Sequence, residues 1–392
     1  MEQLTLIATC PMGLEAVLAR EIRDLGYDTT VENGRVTFVG DKLAICRANL
    51  WLRTADRILI RMGQFEARTF DELFEGTRAL PWSDWIAEDG EFPAEGRSHK
   101  SQLSSVPACQ GIVKKAVVEH MKERYHTEWF KETGARYVME VALLNDIATL
   151  TLDTTGVGLH KRGYRKLVTE APLKETMAAA MVLLSRWRAD RPLYDPFCGS
   201  GTIPIEAAMI GWNIAPGLRR TFAAEAWHSV PEALWTQARE EAYDLVRDDV
   251  PLEIVGSDID SEAIDVAVAA AKAAGLAKEL SLQVLPVAKA RPRGDYGYVI
   301  TNPPYGERLG DRGEVEKLLR QLGGMTSQLP TWSAFILSPS KQLEHYMGRP
   351  ANKKRKLFNG RIECQLYQYF APGGLFAKER NKRAEQQTSP DR

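Results

Sequence analysis

The sequence predicts an α/β protein in which a doubly wound C-terminal domain follows a smaller α+β module. From about residue 193 onward, short apolar runs alternate with helix-periodic segments, as expected of a largely parallel sheet. Polar or glycine-rich turns follow these runs, at the edge where open α/β sheets bind their ligands. The chain of 392 residues is long enough for two or three such domains.

The composition is that of a globular protein, with 44% hydrophobic and 26% charged residues. No apolar run is long enough to span a bilayer, and the N-terminus lacks the pattern of a secretory signal. The five cysteines show no CxxC spacing. We therefore expect a reduced, cytoplasmic protein that has no metal site and no membrane partner, and that is a monomer or a weak dimer.

Charge is distributed unevenly, although the net charge is only −1. Residues 97–126 carry six Lys/Arg and two Glu (+4), residues 159–188 carry seven and two (+5), and residues 224–265 carry two Arg and twelve acids (−10). A basic front half suits a polyanion-binding module joined to a domain with a different ligand. Solvated surfaces of both signs are the alternative interpretation of the same charges.

The first 64 residues predict a small α+β unit with a hairpin at Asn33-Gly34. Its predicted elements are strand Leu4–Thr9, helix Gly13–Ile22, a strand pair around that hairpin, helix Lys42–Leu50 and strand Arg57–Met62.

Residues 65–160 predict a second α+β unit. A helix followed by loops is expected within Thr69–Trp85. Trp82 and Trp85 are expected to pack on the neighbouring domain, and exposure of both is the alternative. A polar, basic stretch from Arg97 to Ser105 leads into helix Gly111–Tyr125, and two strands follow, Arg136–Leu144 and Ala148–Asp153.

Basic side chains in and after this unit are the candidate phosphate contacts, because Ser, Lys and His at the start of a helix readily donate hydrogen bonds to phosphate. An ordinary capped helix with solvated lysines is the alternative. The candidate nucleic-acid contacts are Lys100, Lys114, Lys115, Lys161, Arg162 and Arg165.

The C-terminal domain is predicted to contain five strands and a closing antiparallel hairpin around Asn359-Gly360, and the residues from 377 onward are predicted to be disordered. The predicted strands are Leu193–Asp195, Leu252–Ser257, Leu280–Val287, Tyr298–Thr301 and Ser333–Leu337, and the hairpin pairs Arg355–Phe358 with Cys364–Phe370.

Two turns of this domain predict a cofactor site. The turn Pro196–Thr202 follows the first strand, and its glycines allow close approach of the backbone to a ligand. It is neither a P-loop nor G-x-G-x-x-G. After the second strand, a carboxylate can accept both hydroxyls of a ribose. The candidate cofactor residues are Asp195, Phe197, Gly199, Gly201, Thr202, Asp258, Ile259, Asp260 and Asn302.

The fourth strand ends at Asn302-Pro303-Pro304-Tyr305, since proline cannot continue the ladder. The Asn302 amide oxygen and the Pro303 carbonyl can accept the two hydrogens of an exocyclic amine, and Tyr305 can stack on the ring that carries it. A plain proline turn is the alternative. Cys198, in the cofactor turn, is interpreted as a packing residue and not as a nucleophile.

The order of these three motifs resembles that of class I S-adenosylmethionine-dependent methyltransferases. The front half, including Asn49–Arg57, Arg97–Lys115 and Leu159–Arg165, resembles a ferredoxin-like domain followed by a THUMP domain. Together with Asn213–Arg220 and Asn302–Leu309, this is similar to the bacterial 23S rRNA guanine-N2 methyltransferases. The resemblance implies a ferredoxin-like domain (1–64), a THUMP domain (65–160), a Rossmann-like methyltransferase domain (161–376) and a tail (377–392).

The resemblance also implies S-adenosylmethionine as cofactor and the N2 amine of a guanosine in structured RNA, specifically 23S rRNA, as acceptor. Asn302, Pro303 and Tyr305 are the catalytic residues that it implies. A tRNA guanosine as the acceptor and a non-catalytic RNA-binding assembly factor stay open as alternatives. Similar proteins often carry an Asp after the third strand, where it contacts the adenine amine, but Val284–Lys289 contains no acid. Recognition of the adenine by backbone groups and a lower cofactor affinity are the two alternatives.

Overall fold

The computed structural model describes residues 3–165, 173–305 and 312–372. The predicted disordered tail and residues 306–309 of the resemblance lie outside them. Within the described residues, no helix is both long and apolar enough to cross a membrane. The chain divides into two compact units: the first comprises Met1–Cys10, Leu18–Leu159 and Ala215–Asp244, and the second comprises Pro11–Val17, His160–Ile214 and Leu245–Arg392.

The elements up to residue 165 follow the predicted order, with one additional strand, β5. They are β1 (Leu4–Thr9), α1 (Glu15–Asp24), β2 (Thr29–Glu32), β3 (Arg35–Gly40), α2 (Lys42–Trp51), β4 (Arg57–Glu66), α3 (Phe70–Arg78), β5 (Ala94–His99), α4 (Val106–Tyr125), β6 (Val138–Leu144) and β7 (Ile147–Asp153).

The described elements after residue 172 alternate between helix and strand up to the final hairpin. They are α5 (Glu175–Ser185), β8 (Leu193–Asp195), α6 (Thr202–Gly211), α7 (Glu232–Asp244), β9 (Ile254–Asp258), α8 (Ser261–Ala274), β10 (Leu280–Val284), β11 (Tyr298–Thr301), α9 (Arg312–Ser327), β12 (Ser333–Ser338), α10 (Leu343–Tyr346), β13 (Lys353–Asn359) and β14 (Ile362–Tyr369).

One continuous sheet runs through the first unit, with strand order β2-β3-β1-β4-β7-β6-β5. Its strands pair antiparallel except for β5, which is parallel to β6. The long strand β4 pairs with β1 on one side and with β7 on the other. The predicted boundary between residues 64 and 65 therefore falls inside a strand that the two predicted domains share.

Two elements near the basic stretch differ from the prediction. Residues 97–99 belong to β5, which the polar sequence did not predict because an edge strand has only one strand partner and needs few apolar residues. Helix α4 begins at Val106, five residues earlier than predicted, with Pro107 in its first turn and Cys109 already buried. Proline is well accommodated there because the first helical N–H groups have no acceptor within the helix.

Residues 215–244 belong to the first unit, although the sequence places them inside the predicted methyltransferase domain. Trp227 stacks on Tyr137 with ring centroids 4.8 Å apart, and its indole Nε1 donates a hydrogen bond of 3.0 Å to the Arg136 carbonyl. Trp85 contacts the same indole edge-on at 6.4 Å. Trp82 and Trp85 are both buried, so the exposed alternative does not hold.

The second unit contains a doubly wound sheet with strand order β10-β9-β8-β11-β12-β14-β13. The five strands β10, β9, β8, β11 and β12 are parallel, and the hairpin of β13 and β14 adds antiparallel pairs at one edge. After β8 the chain builds β9 and β10 on one side and then returns to place β11 on the other. The reversal makes the carboxyl ends of β8 and β11 the topological switch point, where such sheets bind ligands.

A buried polar network in the first unit joins α2 to β4 and to the end of β7. The Asn49 amide donates to the Thr154 hydroxyl at 2.9 Å and accepts from the Thr155 hydroxyl at 2.7 Å. Both threonines also bond the backbone of Ile58 in β4. Each partner is fully buried, so the network is costly to interrupt.

We expect Asn49→Ala to lower the free energy of unfolding by about 2 kcal/mol, since it leaves buried hydroxyl groups of Thr154 and Thr155 without their amide partner. Urea denaturation followed by circular dichroism measures the change. Asn33→Ala, at an exposed turn of the same unit, is the control and should change the value by less than about 0.5 kcal/mol. Equal stability of the Asn49 variant and the wild type would contradict the assignment.

Candidate active site at the switch point

A buried carboxylate joins the two strand ends at the switch point. Asp195 ends β8 and is 1% exposed. Its Oδ1 accepts a hydrogen bond of 2.6 Å from the Thr301 hydroxyl at the end of β11, and one of 3.2 Å from the backbone N–H of Phe197. Burial raises the pKa of Asp195 to about 7, against the lowering effect of these two bonds. The turn after β8 and the loop after β11 are therefore held by one group.

The cofactor turn is fixed by its own backbone and by glycines. The Cys198 N–H donates to the Ser257 carbonyl of β9 at 2.9 Å, and the Gly201 N–H donates to the Cys198 carbonyl at 2.8 Å. Gly201 has φ +77°, and a Cβ there would lie 2.9 Å from the Cβ of Ala267. A Cβ on Gly199 would meet nothing within 4 Å, so the turn presents backbone to open space at that point.

The predicted ribose acceptor also braces this turn. Asp258 Oδ2 accepts from the Gly199 N–H at 3.0 Å, and Asp258 Oδ1 accepts from the Asp260 N–H at 3.1 Å. An ionised carboxylate has about four acceptor positions, so both oxygens can accept further hydrogen bonds. Asp260 has a different task, because its side chain accepts from the Glu262 N–H at 2.9 Å and caps helix α8.

An apolar surface lies beside these carboxylates. Ile259 is 71% exposed and follows Asp258 directly. Val284, which is 52% exposed, is the register partner of Asp258 on β10. S-adenosylmethionine requires an acceptor for its ribose hydroxyls, an apolar surface for its adenine ring and space for close approach to the backbone. Asp258, the apolar side chains and the open glycine turn provide these three features. The residues present therefore fit this cofactor.

Asn302 begins the loop after β11, directly after the buried Thr301. Its Oδ1 accepts a hydrogen bond of 2.5 Å from the hydroxyl of Tyr305. The sequence predicted Tyr305 as a stacking face only and did not predict this bond. Pro303 is buried and Tyr305 is half-buried.

Cys198 has the environment of a packing residue. Its side chain is 6% exposed, and burial together with the nearby carboxylates of Asp195 and Asp258 raises the pKa of its thiol well above the usual range. A thiol of this kind stays protonated at neutral pH and is a poor nucleophile. The packing interpretation agrees with this environment.

The predicted phosphate contacts at Arg162 and Arg165 are wrong. Arg162 is 3% exposed, and its guanidinium lies 3.3 Å from Oε1 of the fully buried Glu206 in α6. Tyr164 donates to the same carboxylate at 3.1 Å. Arg165 pairs with the buried Glu175 at 3.4 Å. Both ion pairs lie within the second unit, where each charge neutralises one that has lost its hydration.

The four predicted lysine contacts have different surroundings. Lys114 is engaged within the first unit: its Nζ bonds the Phe92 carbonyl at 3.0 Å and Glu132 at 2.7 Å, which leaves it less able to neutralise a phosphate. Lys100, Lys115 and Lys161 are exposed, as a phosphate contact requires.

Sequence analysis missed Thr301 and Asn359 as parts of the site. Thr301 was treated only as the end of a strand, although it lies next to Asn302. Asn359 was assigned to a hairpin turn, but its Nδ2 donates to the Tyr305 hydroxyl at 3.3 Å. No local pattern signals this second contact, because Asn-Gly is equally typical of a hairpin turn that touches nothing else.

Three families of domain match the chain. Residues 5–59 match the RlmL ferredoxin-like domain, residues 67–153 match the THUMP domain, and residues 162–368 match the RMKL-like methyltransferase domain. The predicted combination of a ferredoxin-like domain, a THUMP domain and a methyltransferase domain is confirmed.

Two curated relatives have RNA methyltransferase names. The chain is 51% identical to the putative RNA methyltransferase YpsC of Bacillus subtilis, over 95% of this chain and 97% of that protein. It is 33% identical to the ribosomal RNA large subunit methyltransferase K/L of Legionella pneumophila, over 93% of this chain but 52% of that longer protein.

Two crystal structures share both fold and sequence with this chain. One, from Listeria monocytogenes, is described as a predicted N6-adenine-specific DNA methylase; it has a TM-score of 0.92 and 52% identity, over 95% of this chain and 97% of that one. The other, SMU.472, is described as a putative methyltransferase complexed with SAH; it has a TM-score of 0.91 and 45% identity, over 95% and 99% of the two chains.

These matches extend over both units, and the match to the methyltransferase domain spans residues 162–368, a range that contains the switch-point residues of this chain. The chain belongs to the RMKL-like methyltransferase family, in the form that carries ferredoxin-like and THUMP domains ahead of the methyltransferase domain.

Proposed function

We propose that this protein transfers the methyl group of S-adenosylmethionine to the N2 amine of a guanosine in structured RNA, and that this RNA is 23S rRNA. The observation that carries the proposal is the position of Asn302. Its amide follows Thr301, and Thr301 is bonded through Asp195 to the turn that fits the cofactor. An acceptor for an amine is thus fixed beside a methyl-donor site.

The RNA part of the proposal is supported by the THUMP match and by the names of the two curated relatives. The name given to the Listeria structure instead suggests adenine N6 in DNA. The Asn-Pro-Pro-Tyr loop suits either amine, since it reads an NH2 group on a flat ring. Methylation of adenine N6 in DNA does not need a THUMP domain, and the presence of one here favours RNA as the substrate.

The residues of the loop can hold and activate an amine. Asn302 Oδ1 has a second lone pair besides the one used by Tyr305, and the Pro303 carbonyl is a second acceptor. Hydrogen bonds to both amine hydrogens hold the nitrogen with its lone pair out of conjugation with the ring. S-adenosylmethionine supplies the methyl group as an electrophile. The methylated nitrogen is strongly acidic and loses its extra proton to water, so no dedicated base is needed.

Most of the catalysis is therefore positioning and electrostatic complementarity. The cofactor turn is braced by Asp258 and Asp195 before any ligand arrives, and Asp258 retains acceptor capacity for ribose hydroxyls. The target guanosine has to leave its stack to reach Asn302, as is usual for enzymes that modify a base.

The decisive experiment is nucleoside analysis after methylation in vitro. We expect unmodified 23S rRNA, incubated with the protein and S-adenosylmethionine, to yield N2-methylguanosine after digestion and mass spectrometry. The same product from tRNA alone would select the tRNA alternative, and N6-methyladenine from DNA or RNA would reject guanine as the target. Intact cofactor binding with no transfer to any of these nucleic acids would favour a non-catalytic assembly factor.

Asp258→Ala should weaken S-adenosylmethionine binding by about 2 kcal/mol, the scale of a charge-assisted hydrogen bond. It removes both the proposed ribose acceptor and the bond to Gly199. Isothermal calorimetry measures the affinity. Asp260→Ala is the matched control: it removes the cap of α8 and should lower stability while the affinity stays within about twofold. A larger loss of affinity in the control than in Asp258→Ala would transfer the role to Asp260.

Asn302→Ala should fold normally and keep cofactor and RNA affinity within a few fold, because its amide oxygen stabilises the amine mainly as the nitrogen becomes tetrahedral. We expect its single-turnover rate at saturating cofactor and RNA to fall by roughly two to three orders of magnitude. Asn302→Asp keeps an acceptor and should retain more activity than the alanine variant. A near-wild-type rate for Asn302→Ala would reject the amine mechanism.

A further inference from the structure

The Tyr305 hydroxyl is the centre of a hydrogen-bond chain that reaches the catalytic loop from the β13–β14 hairpin. It donates to Asn302 Oδ1 at 2.5 Å. It also accepts from Asn359 Nδ2 at 3.3 Å and from the Cys364 thiol, with 3.6 Å between sulfur and oxygen. Cys364 is 1% exposed, and burial raises the pKa of its thiol, so the sulfur keeps its proton and is a donor.

In the structure the donors and acceptors of these hydrogen bonds run from the hairpin, through the Tyr305 hydroxyl, to Asn302. A side-chain NH2 group and a thiol that is still protonated can both donate to the phenol oxygen, which has two lone pairs. The phenol has one hydrogen, which is assigned to the 2.5 Å bond to Asn302 Oδ1. That hydrogen can only meet the oxygen end of the Asn302 amide, because the nitrogen end would present hydrogens of its own.

The side chain of Asn359 is used in an unusual way for a turn residue. Asparagines in turns ordinarily bond their own backbone nearby. Asn359 closes the hairpin as the register partner of Ile362, but its amide donates to Tyr305, 54 residues away in the sequence. This hydrogen bond holds Tyr305 in the loop after β11 and contributes nothing to the hairpin turn itself.

We propose that Asn359 is a positioning residue for methyl transfer: acting through the Tyr305 hydroxyl, it keeps the oxygen end of the Asn302 amide in place to accept from the target amine. The two ends of an amide differ little in shape, and only the oxygen can accept, so the orientation decides whether Asn302 can hold the amine. This inference rests on the proposed role of Asn302 and adds to it a residue from the edge of the sheet.

The sharpest test reverses the direction of the hydrogen bonds from Asn359 through Tyr305 to Asn302. In Asn359→Asp, a carboxylate accepts the phenol hydrogen, and the phenol then offers only lone pairs to Asn302. We expect the turnover number to fall about tenfold, the scale of one lost hydrogen bond, with KM for RNA unchanged. Asn359→Ala, which removes the donor without reversing the chain, should lose about threefold. The added negative charge by itself would favour the positive charge that develops on the amine, so it cannot explain a loss.

Two controls separate positioning from a general structural effect. Asn352→Asp places the same charge just before β13, where Asn352 Oδ1 already accepts from the Phe370 N–H at 2.7 Å; its turnover should equal that of the wild type. In a Tyr305→Phe background the hydroxyl that links Asn359 to Asn302 is absent, so Asn359→Asp should cause no further loss of turnover. An equal loss in the wild-type and Tyr305→Phe backgrounds, or wild-type turnover of Asn359→Asp, would overturn the proposal.

A measurement without catalysis distinguishes this inference from the proposed function. Turnover is counted as total methyl transferred, so it does not depend on which nucleoside is modified. In protein labelled with 15N at asparagine, the side-chain NH2 signal of Asn302, assigned by its loss in Asn302→Ala, should move in Asn359→Asp and stay in place in Asn352→Asp. An unmoved signal overturns the proposal even where the protein methylates RNA, and a moved signal supports it even where no RNA is methylated.

Discussion

The hydrogen bond between Asp195 and Thr301 is the constraint on which the rest of the site depends. It crosses the switch point of the sheet and joins the ends of the neighbouring strands β8 and β11, after which the chain enters two different loops. One oxygen of Asp195 holds the turn after β8 through Phe197, and also holds the residue before Asn302. The register of two neighbouring strands, together with these bonds, thereby sets the separation between the turn after β8 and the beginning of the loop after β11.

Local patterns predicted most of the second unit because each of its motifs ends a strand. The five strands of the parallel part and the closing hairpin lie within a few residues of their predicted bounds. Proline after β11 and glycine after β8 act on the backbone directly, so their effects can be read without knowledge of distant contacts. The continuous first sheet and the placement of residues 215–244 depend on pairings between distant segments, such as Trp227 with Tyr137, and no local pattern encodes these.

The errors at Arg162 and Arg165 have a physical cause that the sequence did contain. The run of cations predicts a surface, but helix α6 carries a single acid, Glu206, which pairs with Arg162, and helix α5 carries a single acid, Glu175, which pairs with Arg165. An isolated charge on a helix that is apolar all round has to be buried, and a buried charge needs a partner of opposite sign. Lone acids in apolar helices are therefore better guides to the fate of nearby arginines than the local density of positive charge.

The two aspartates of the proposed cofactor site, Asp195 and Asp258, hold the turn after β8 through hydrogen bonds. Asp195 and Asp258 each accept a backbone N–H of the turn, so hydrogen bonds within the folded unit hold its conformation. A ligand that meets a pre-formed turn does not bear the entropy cost of ordering it, and its binding free energy is larger by that amount. The same logic applies to Asn302, whose amide is oriented by Tyr305 before an amine is present. Cofactor turn and acceptor amide are both preorganised by hydrogen bonds within one unit, and this suits a reaction in which the protein contributes placement and polarity and no covalent chemistry.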